Sequence, residues 1–372
     1  MPHLSMRRSI SSDGAVGTDR LHDLQQVALR HGVPVEDVLL IAVNLYGITS
    51  DHDRHRARVN LRLVRRPDTA WQIIVPLNQP ASPFRLRGDD LSLNGAVVAN
   101  VERIDADEAV GGYFRNGGRA ATLNPNARSR CVGCGWCPNT LEAAADPRMQ
   151  EDQGLDALLR ALNEQHPRRN LCELEEVTVS TGCFEREDAA VAHLTALRPA
   201  LERAGVTARI GFLTSVLRSD EAFEAIASKV SPFVLRLTTE HFTRREALMK
   251  ATKADLGPAK MPDLLARARK AGLDTSYTYI VGLDPMDDLA HGVNELADEV
   301  TAFPNFQVFQ AHTVIMQGMR TPGAESLEYY LQARTVIERA MASTGLRPVG
   351  WECYRPLWYF TFAGEDLVDG PR

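Results

Sequence analysis

The sequence predicts an α/β protein. Short apolar runs alternate with amphipathic helical segments across residues 119–312, and polar, thiol or glycine residues follow each run. The strands are placed at Arg119–Asn124, Val177–Ser180, Ala208–Thr214, Phe233–Leu237, Thr275–Val281 and Phe306–His312, each bounded by turn residues. Between them, Leu155, Leu158, Leu159 and Leu162 mark one helical face by spacings of three and four, and Val293, Leu296 and Val300 mark another. Strand, helix, strand in repetition implies a parallel sheet with right-handed crossovers, either an open doubly wound sheet or an open or closed barrel. In each architecture the ligand sits at the carboxyl ends of the strands.

Two smaller segments flank this core. Residues 1–18 are rich in Ser, Gly and Arg without apolar periodicity and read as a disordered leader. Residues 19–117 form a small α+β domain: helices at Leu21–Arg30 and Val35–Leu45 are separated by Gly32 and Pro34, and strands at Val59–Val64 and Trp71–Val75 flank a turn at Arg65–Asp68. The glycines at 111, 112, 117 and 118 mark its end. At the other end, a helix over Glu325–Ser343 leads into the aromatic run from Gly350 to Phe360, so residues 326–372 read as an extension capping the core. Within it, Trp351, Tyr354 and Arg355 are candidate substrate contacts, with core packing as the alternative.

Composition narrows the partners. Among 372 residues, 48 acidic against 42 basic side chains give a net charge of -6, which supplies no electrostatic attraction to nucleic acid. No stretch approaches the ~20 apolar residues of a membrane span, and the first residues lack the apolar run of a secretion signal. A cytoplasmic location is therefore expected, where the six cysteines stay reduced and do not form a disulfide framework.

The cysteine spacing carries the chemistry. Cys131, Cys134 and Cys137 form a Cys-x2-Cys-x2-Cys run in a Gly-containing loop after the first strand. Ferredoxins use this spacing, followed by a fourth cysteine, to hold a [4Fe–4S] cluster; here Leu141 stands at the fourth position. A cube held by three thiolates leaves one iron open to a small molecule bearing an amine and a carboxylate, and S-adenosylmethionine has both. An electron passed from cluster to sulfonium breaks a carbon–sulfur bond. Structural zinc is one rival, although a second Cys-x2-Cys pair is absent. The other is a closed electron-transfer cluster completed by Cys172, Cys183 or Cys353.

With Cys134-Gly135-Trp136-Cys137 matching the second half of its Cys-x3-Cys-x-aromatic-Cys motif, the chain resembles the radical S-adenosylmethionine (radical SAM) superfamily over residues 118–325. Cys131 stands one residue nearer than that motif has it. The resemblance implies a partial (β/α)6 TIM-like barrel that binds a [4Fe–4S] cluster through Cys131, Cys134 and Cys137, with S-adenosylmethionine beside it. It places Trp136 beside the adenine, Thr181 and Gly182 at the methionyl amine with Glu185 as an alternative acid, and Gly282 against the adenine. Alternation along strand four puts Arg236, Thr238 and Glu240 on one face, where the resemblance assigns them to the cofactor's carboxylate and ribose; an internal Arg236–Glu240 pair is the plainer reading. His312 is a further cofactor or substrate contact, and Cys183 a candidate hydrogen-atom donor or a small buried hydrophobe.

The implied activity is reductive cleavage of S-adenosylmethionine to a 5'-deoxyadenosyl radical. The radical acts on a small-molecule substrate, in specialised metabolite biosynthesis, with electrons from an external flavodoxin- or ferredoxin-type donor. Transfer of a 3-amino-3-carboxypropyl group is the alternative within the same chemistry, and an iron–sulfur electron carrier the alternative outside it.

Overall fold

The computed structural model describes residues 21–52, 55–77, 79, 81–106, 113–123, 134–137, 154–179, 184–350 and 352–367. The proposed leader, the first cysteine of the run, Cys131, and residues Thr181, Gly182, Cys183 and Trp351 lie outside them.

In the N-terminal segment, apolar side chains at helical spacing build α1 (Leu21–His31) and α2 (Val35–Tyr46), which ends at Gly47 in a positive-φ conformation. They pack with a five-stranded antiparallel sheet of β1 (Arg56–Leu63), β2 (Arg66–Pro76), β3 (Phe84–Arg87), β4 (Asp90–Leu93) and β5 (Ala96–Ala106), in the order β2-β1-β5-β4-β3. Ala57, Val59, Leu61 and Leu63 alternate into the core, while Arg58, Asn60 and Arg62 occupy the opposite face. The expected turn at Arg65–Asp68 is a tighter one at Val64 and Arg65, and β2 already begins at Arg66.

The second sheet has seven strands. The first two are β6 (Tyr113–Arg115) and β7 (Ala120–Leu123). After α3 (Leu155–Gln165) come β8 (Glu176–Val179), α4 (Glu187–Arg203), β9 (Arg209–Thr214), α5 (Asp220–Lys229) and β10 (Phe233–Glu240). Short helices α6 (Arg245–Leu248) and α7 (Ala251–Ala254) precede α8 (Met261–Lys270), β11 (Asp274–Val281), α9 (Met286–Ala297) and β12 (Asn305–Val308). The order is β12-β11-β10-β9-β8-β7-β6, with β7 to β12 parallel and β6 an antiparallel edge. Six β/α strands side by side, with β12 and β6 as unjoined edges, make the expected partial barrel. Because β6 pairs with β7, this sheet takes up residues ahead of position 118.

One face of these strands is apolar: Val177, Val179, Ile210, Phe212, Leu235 and Leu237 share a core with the helices. The other face is polar and still buried, with Glu176, Thr178, Arg236 and Thr238 all under one-tenth exposed. Gly211 belongs to it, because a Cβ there would fall 2.0 Å from Arg236 Nη1 and 3.0 Å from Glu176 Oε1. An isolated glycine inside a strand pattern signals such a close approach.

Beyond α10 (Val314–Gln317), α11 (Leu327–Met341) and the aromatic segment tie the two sheets together. Asp37 of α2, fully buried, accepts backbone N–H bonds from Tyr359 and Phe360 at 2.7 and 2.8 Å and a 2.8 Å bond from Arg334 of α11. Removing one partner of a buried, hydrogen-bonded ion pair leaves the other uncompensated and costs about 3–5 kcal/mol. Asp37→Ala is therefore expected to lower the unfolding free energy by that amount in denaturant titration, with the N-terminal helices released first in hydrogen exchange.

Candidate functional site

The described part of the cysteine loop lies where the parallel strands end. Gly135 N–H donates to Leu248 O at 2.9 Å, Lys250 N–H to Cys134 Sγ at 3.5 Å, and Cys137 N–H to Cys134 O at 3.1 Å. Cys134 and Trp136 pack among Met249, Ile280, Leu283 and Phe309. These side chains follow, or sit at the ends of, β10, β11 and β12. Burial pushes the Cys134 thiol up, against the pull of Lys253 and the Lys250 N–H. An isolated thiol here stays neutral, and a bound cationic metal is what converts it to the thiolate.

The loop after β10 is built around a reversal. Glu240 has φ 64, and His241 N–H donates to Thr239 O at 2.7 Å across it. A non-glycine residue in this conformation carries a cost of ~1–3 kcal/mol that surrounding contacts must offset, and such residues gather at functional sites. Arg245 supplies those contacts, its guanidinium donating to the carbonyls of Thr239, His241 and Lys253. Burial pulls Arg245 down to about 10, so it remains charged at neutral pH. Asp284, fully buried after β11, accepts the N–H groups of Phe242 and Thr243 at 2.6 and 2.8 Å and the Tyr279 hydroxyl at 2.7 Å, which fixes the same loop from beneath.

This reversal turns Glu240 toward Lys253, 3.3 Å away, and Lys253 Nζ lies 5.9 Å from the centre of the Trp136 ring. A carboxylate, an ammonium and an indole thus run in sequence to the cysteine loop. Several buried polar atoms in this region have no hydrogen-bond partner among the described residues: Trp136 Nε1, Thr238 Oγ1 and Thr278 Oγ1. Thr238 and Thr278 are register partners on β10 and β11. Buried polar atoms are nearly always paired, so these are groups that a ligand would satisfy. Together with two thiols and a sulfur-directed N–H, they fit a site for a thiolate-held cluster and a polar cofactor.

Other anticipated residues are placed differently. Arg236 does face the interior, but its anions come from the chain itself: Glu176 at 2.7 and 3.1 Å and Glu352 at 3.0 Å, not Glu240. It lies in the amino-terminal half of the barrel, with Arg209 beside the same carboxylates. Tyr354 and Arg355 bridge the sheets: Tyr354 O accepts Ile74 N–H at 3.4 Å, Arg355 O accepts Val308 N–H at 2.8 Å, and the Arg355 side chain donates to Gln307. His312 is pushed down to about 3 by burial, with Arg56 and Arg355 adding to the effect, so it is neutral at physiological pH. Glu185 is exposed and meets Lys250 Nζ at 3.3 Å.

Gly282 has φ 116, and a Cβ there would fall 2.5 Å from Tyr330 Oη and 3.2 Å from Phe309 Cβ. Gly282→Ala is expected to destabilise the fold by roughly 1–3 kcal/mol through overpacking alone, with backbone strain in addition. A thermal or denaturant midpoint reads it directly.

Lys253, Thr278, Arg245 and the Glu176–Glu352 pair were not singled out from sequence. Two signals were available. Lys250 and Lys253 are two of only five lysines in the chain, and Ser276 and Thr278 alternate on β11 as Arg236 and Thr238 do on β10.

No protein-family model matches the chain, and no curated protein does. Solved structures with a similar arrangement include the FeFe-hydrogenase maturase HydG from Carboxydothermus hydrogenoformans, at 18% identity over 63% of this chain and 55% of that one, with a TM-score of 0.42. SuiB of Streptococcus suis bound to S-adenosylmethionine matches at 12% identity over 52% of this chain and 41% of its own, with a TM-score of 0.35. The radical S-adenosylmethionine methyltransferase TsrM from Kitasatospora setae, with cobalamin and a [4Fe–4S] cluster bound, matches at 11% over 50% and 36%, with a TM-score of 0.34. The chain thus spans under two thirds of each of these proteins.

Proposed function

We propose that this chain is a radical SAM enzyme acting on a small molecule. The observation that carries the reading is the meeting of Cys134, Trp136 and Cys137 with the Glu240–Lys253 pair at the carboxyl ends of the parallel strands, beside unpartnered donors. Cys131, Cys134 and Cys137 would hold a [4Fe–4S] cluster. With S-adenosylmethionine bound, such a cluster supplies one-electron cleavage of a sulfonium carbon–sulfur bond.

The chain's own groups have distinct tasks. Lys253 presents an ammonium to a ligand carboxylate, while Glu240 orients it and accepts a hydroxyl or ammonium proton. Thr238 and Thr278 offer hydroxyls from the barrel interior. Phe309, Met316 and Met249, all buried, exclude water from the same side. A specialised biosynthetic role and an external flavodoxin- or ferredoxin-type donor complete the proposal.

The test is anaerobic cluster reconstitution, reduction in the presence of S-adenosylmethionine, and mass spectrometry of the nucleoside released. The expected product is 5'-deoxyadenosine. Release of 5'-methylthioadenosine would move the cleavage to the 3-amino-3-carboxypropyl bond, and release of neither from iron-loaded protein would overturn the reading.

A further inference from the structure

A cavity of about 670 Å³ opens at the opposite end of the barrel, between the polar face of the N-terminal sheet, β6 with the loop that leads into β7, the end of α3, and the C-terminal segment. Its size falls within the ~300–1,000 Å³ of small-molecule sites. An antiparallel sheet ordinarily turns its polar face to water; here that face is roofed by the rest of the chain.

The floor is a row of side chains bonded across three strands. Gln72 Nε2 donates to Asn60 Oδ1 at 3.3 Å, Asn60 Nδ2 to Asp105 Oδ2 at 3.3 Å, and Arg103 Nε to Asp105 Oδ2 at 2.7 Å. The described lining residues include three guanidiniums: Arg103 beside Asp105, Arg115, which also faces Glu176 and Glu352 from the barrel side, and Arg58. Each guanidinium has five donors and can keep its intramolecular bonds while offering others. The remaining wall is aromatic: Phe114 and Tyr354 line it, with Arg115 5.7 Å from the centre of the Tyr354 ring, while Trp71, the register partner of Leu61, turns its ring to the apolar face against Tyr359 and Phe360.

We propose that this cavity binds a small anion with a planar aromatic body, its acid group on Arg58 and Arg103 and its ring against Tyr354. Occupancy reaches the barrel interior through Arg115, whose Nη2 donates to Thr178 Oγ1 at 2.9 Å, which in turn donates to Glu176 at 2.6 Å. The site shares no residue with the cysteine loop and stands independently of the proposed chemistry.

Naphthalene-2-sulfonate and its uncharged sulfonamide are suitable probes, titrated calorimetrically into the full chain. Saturable binding of one sulfonate per chain is expected, at least about tenfold tighter than the sulfonamide, because a charge-assisted bond contributes ~1.5–3 kcal/mol. Arg58→Gln and the more exposed Arg103→Gln each weaken the sulfonate by about tenfold; circular dichroism checks their folding, and Arg103→Gln decides the matter if Arg58→Gln does not fold. Binding persists in Cys134→Ala/Cys137→Ala protein. The proposal is overturned by absence of saturable binding, by equal affinity for the two probes, by insensitivity to Arg103→Gln, or by loss of binding in the double-cysteine variant, which would move the probe to the cysteine site.

Discussion

Alanine at Cys131, Cys134 or Cys137 is expected to abolish iron retention and to lower nucleoside release by at least ~100-fold, since even outer-shell partners of a metal site cost ~10–100-fold when removed. Alanine at Cys172 or Cys353 is expected to leave both unchanged. The distinction follows from where the sulfurs lie. Cys172 is exposed on a turn that leads into β8, and Cys353 is directed at Phe306 O, 3.5 Å away, near the start of β12. Both are at the amino ends of strands, whereas Cys134 and Cys137 are at the carboxyl ends. Burial pushes the Cys353 thiol up to about 12, so it stays protonated where it donates to Phe306 O. Cys183 is therefore the decisive variant for the electron-carrier reading: iron retention in Cys183→Ala protein supports an open iron site, and its loss supports a cube closed by four cysteines.

Glu176→Ala is expected to lower stability by up to about 3–5 kcal/mol, because Arg236 and the neighbouring Arg209 are then left to share the carboxylate of Glu352 alone. Arg236 is 2% exposed and Glu176 1%, so water does not replace the lost partner. The pH dependence has a definite sign. Burial raises the Glu176 carboxyl, but Arg236, with Arg115 and Arg209, more than offsets this and holds it well below its ordinary 4.5. A depressed carboxyl contributes stability that is present above 4.5 and lost as pH falls through the folded-state value. Glu352 acts oppositely, because burial raises its carboxyl and Glu176 adds to that despite Arg236 and Arg209. Its protonation as pH falls therefore partly offsets the acid loss. Unfolding followed from pH 7 downward should show a steep acid limb in the parent that flattens in Glu176→Ala.

The six parallel strands were legible in the sequence because one face of each carries recurrent apolar residues and turn residues bound the runs. Their ends agree to within a few residues, and only β12 is markedly shorter than Phe306–His312. The N-terminal sheet was half legible. Phe84-Arg85-Leu86-Arg87 alternates cleanly, yet β3 and β4 span only four residues each, and β4 depends on pairing with β5, and β3 on pairing with β4, rather than on local propensity. Strand alternation placed Arg236 inward, but its partners are 60 and 116 residues away and no local pattern reveals them. The positive φ of Glu240 was likewise invisible, since it is imposed by Arg245 and Asp284 rather than by a glycine. The cysteine spacing was the clearest chemical signal, and Lys253 becomes informative only once the fold brings it to Trp136.

The most direct measurement is the electron paramagnetic resonance spectrum of the anaerobically reconstituted, dithionite-reduced protein before and after S-adenosylmethionine is added, with metal content determined on the same sample. An open iron site predicts about four irons per chain and g values that shift when the ligand binds. Zinc in place of iron, or a reduced cluster whose spectrum does not respond to S-adenosylmethionine, would contradict it.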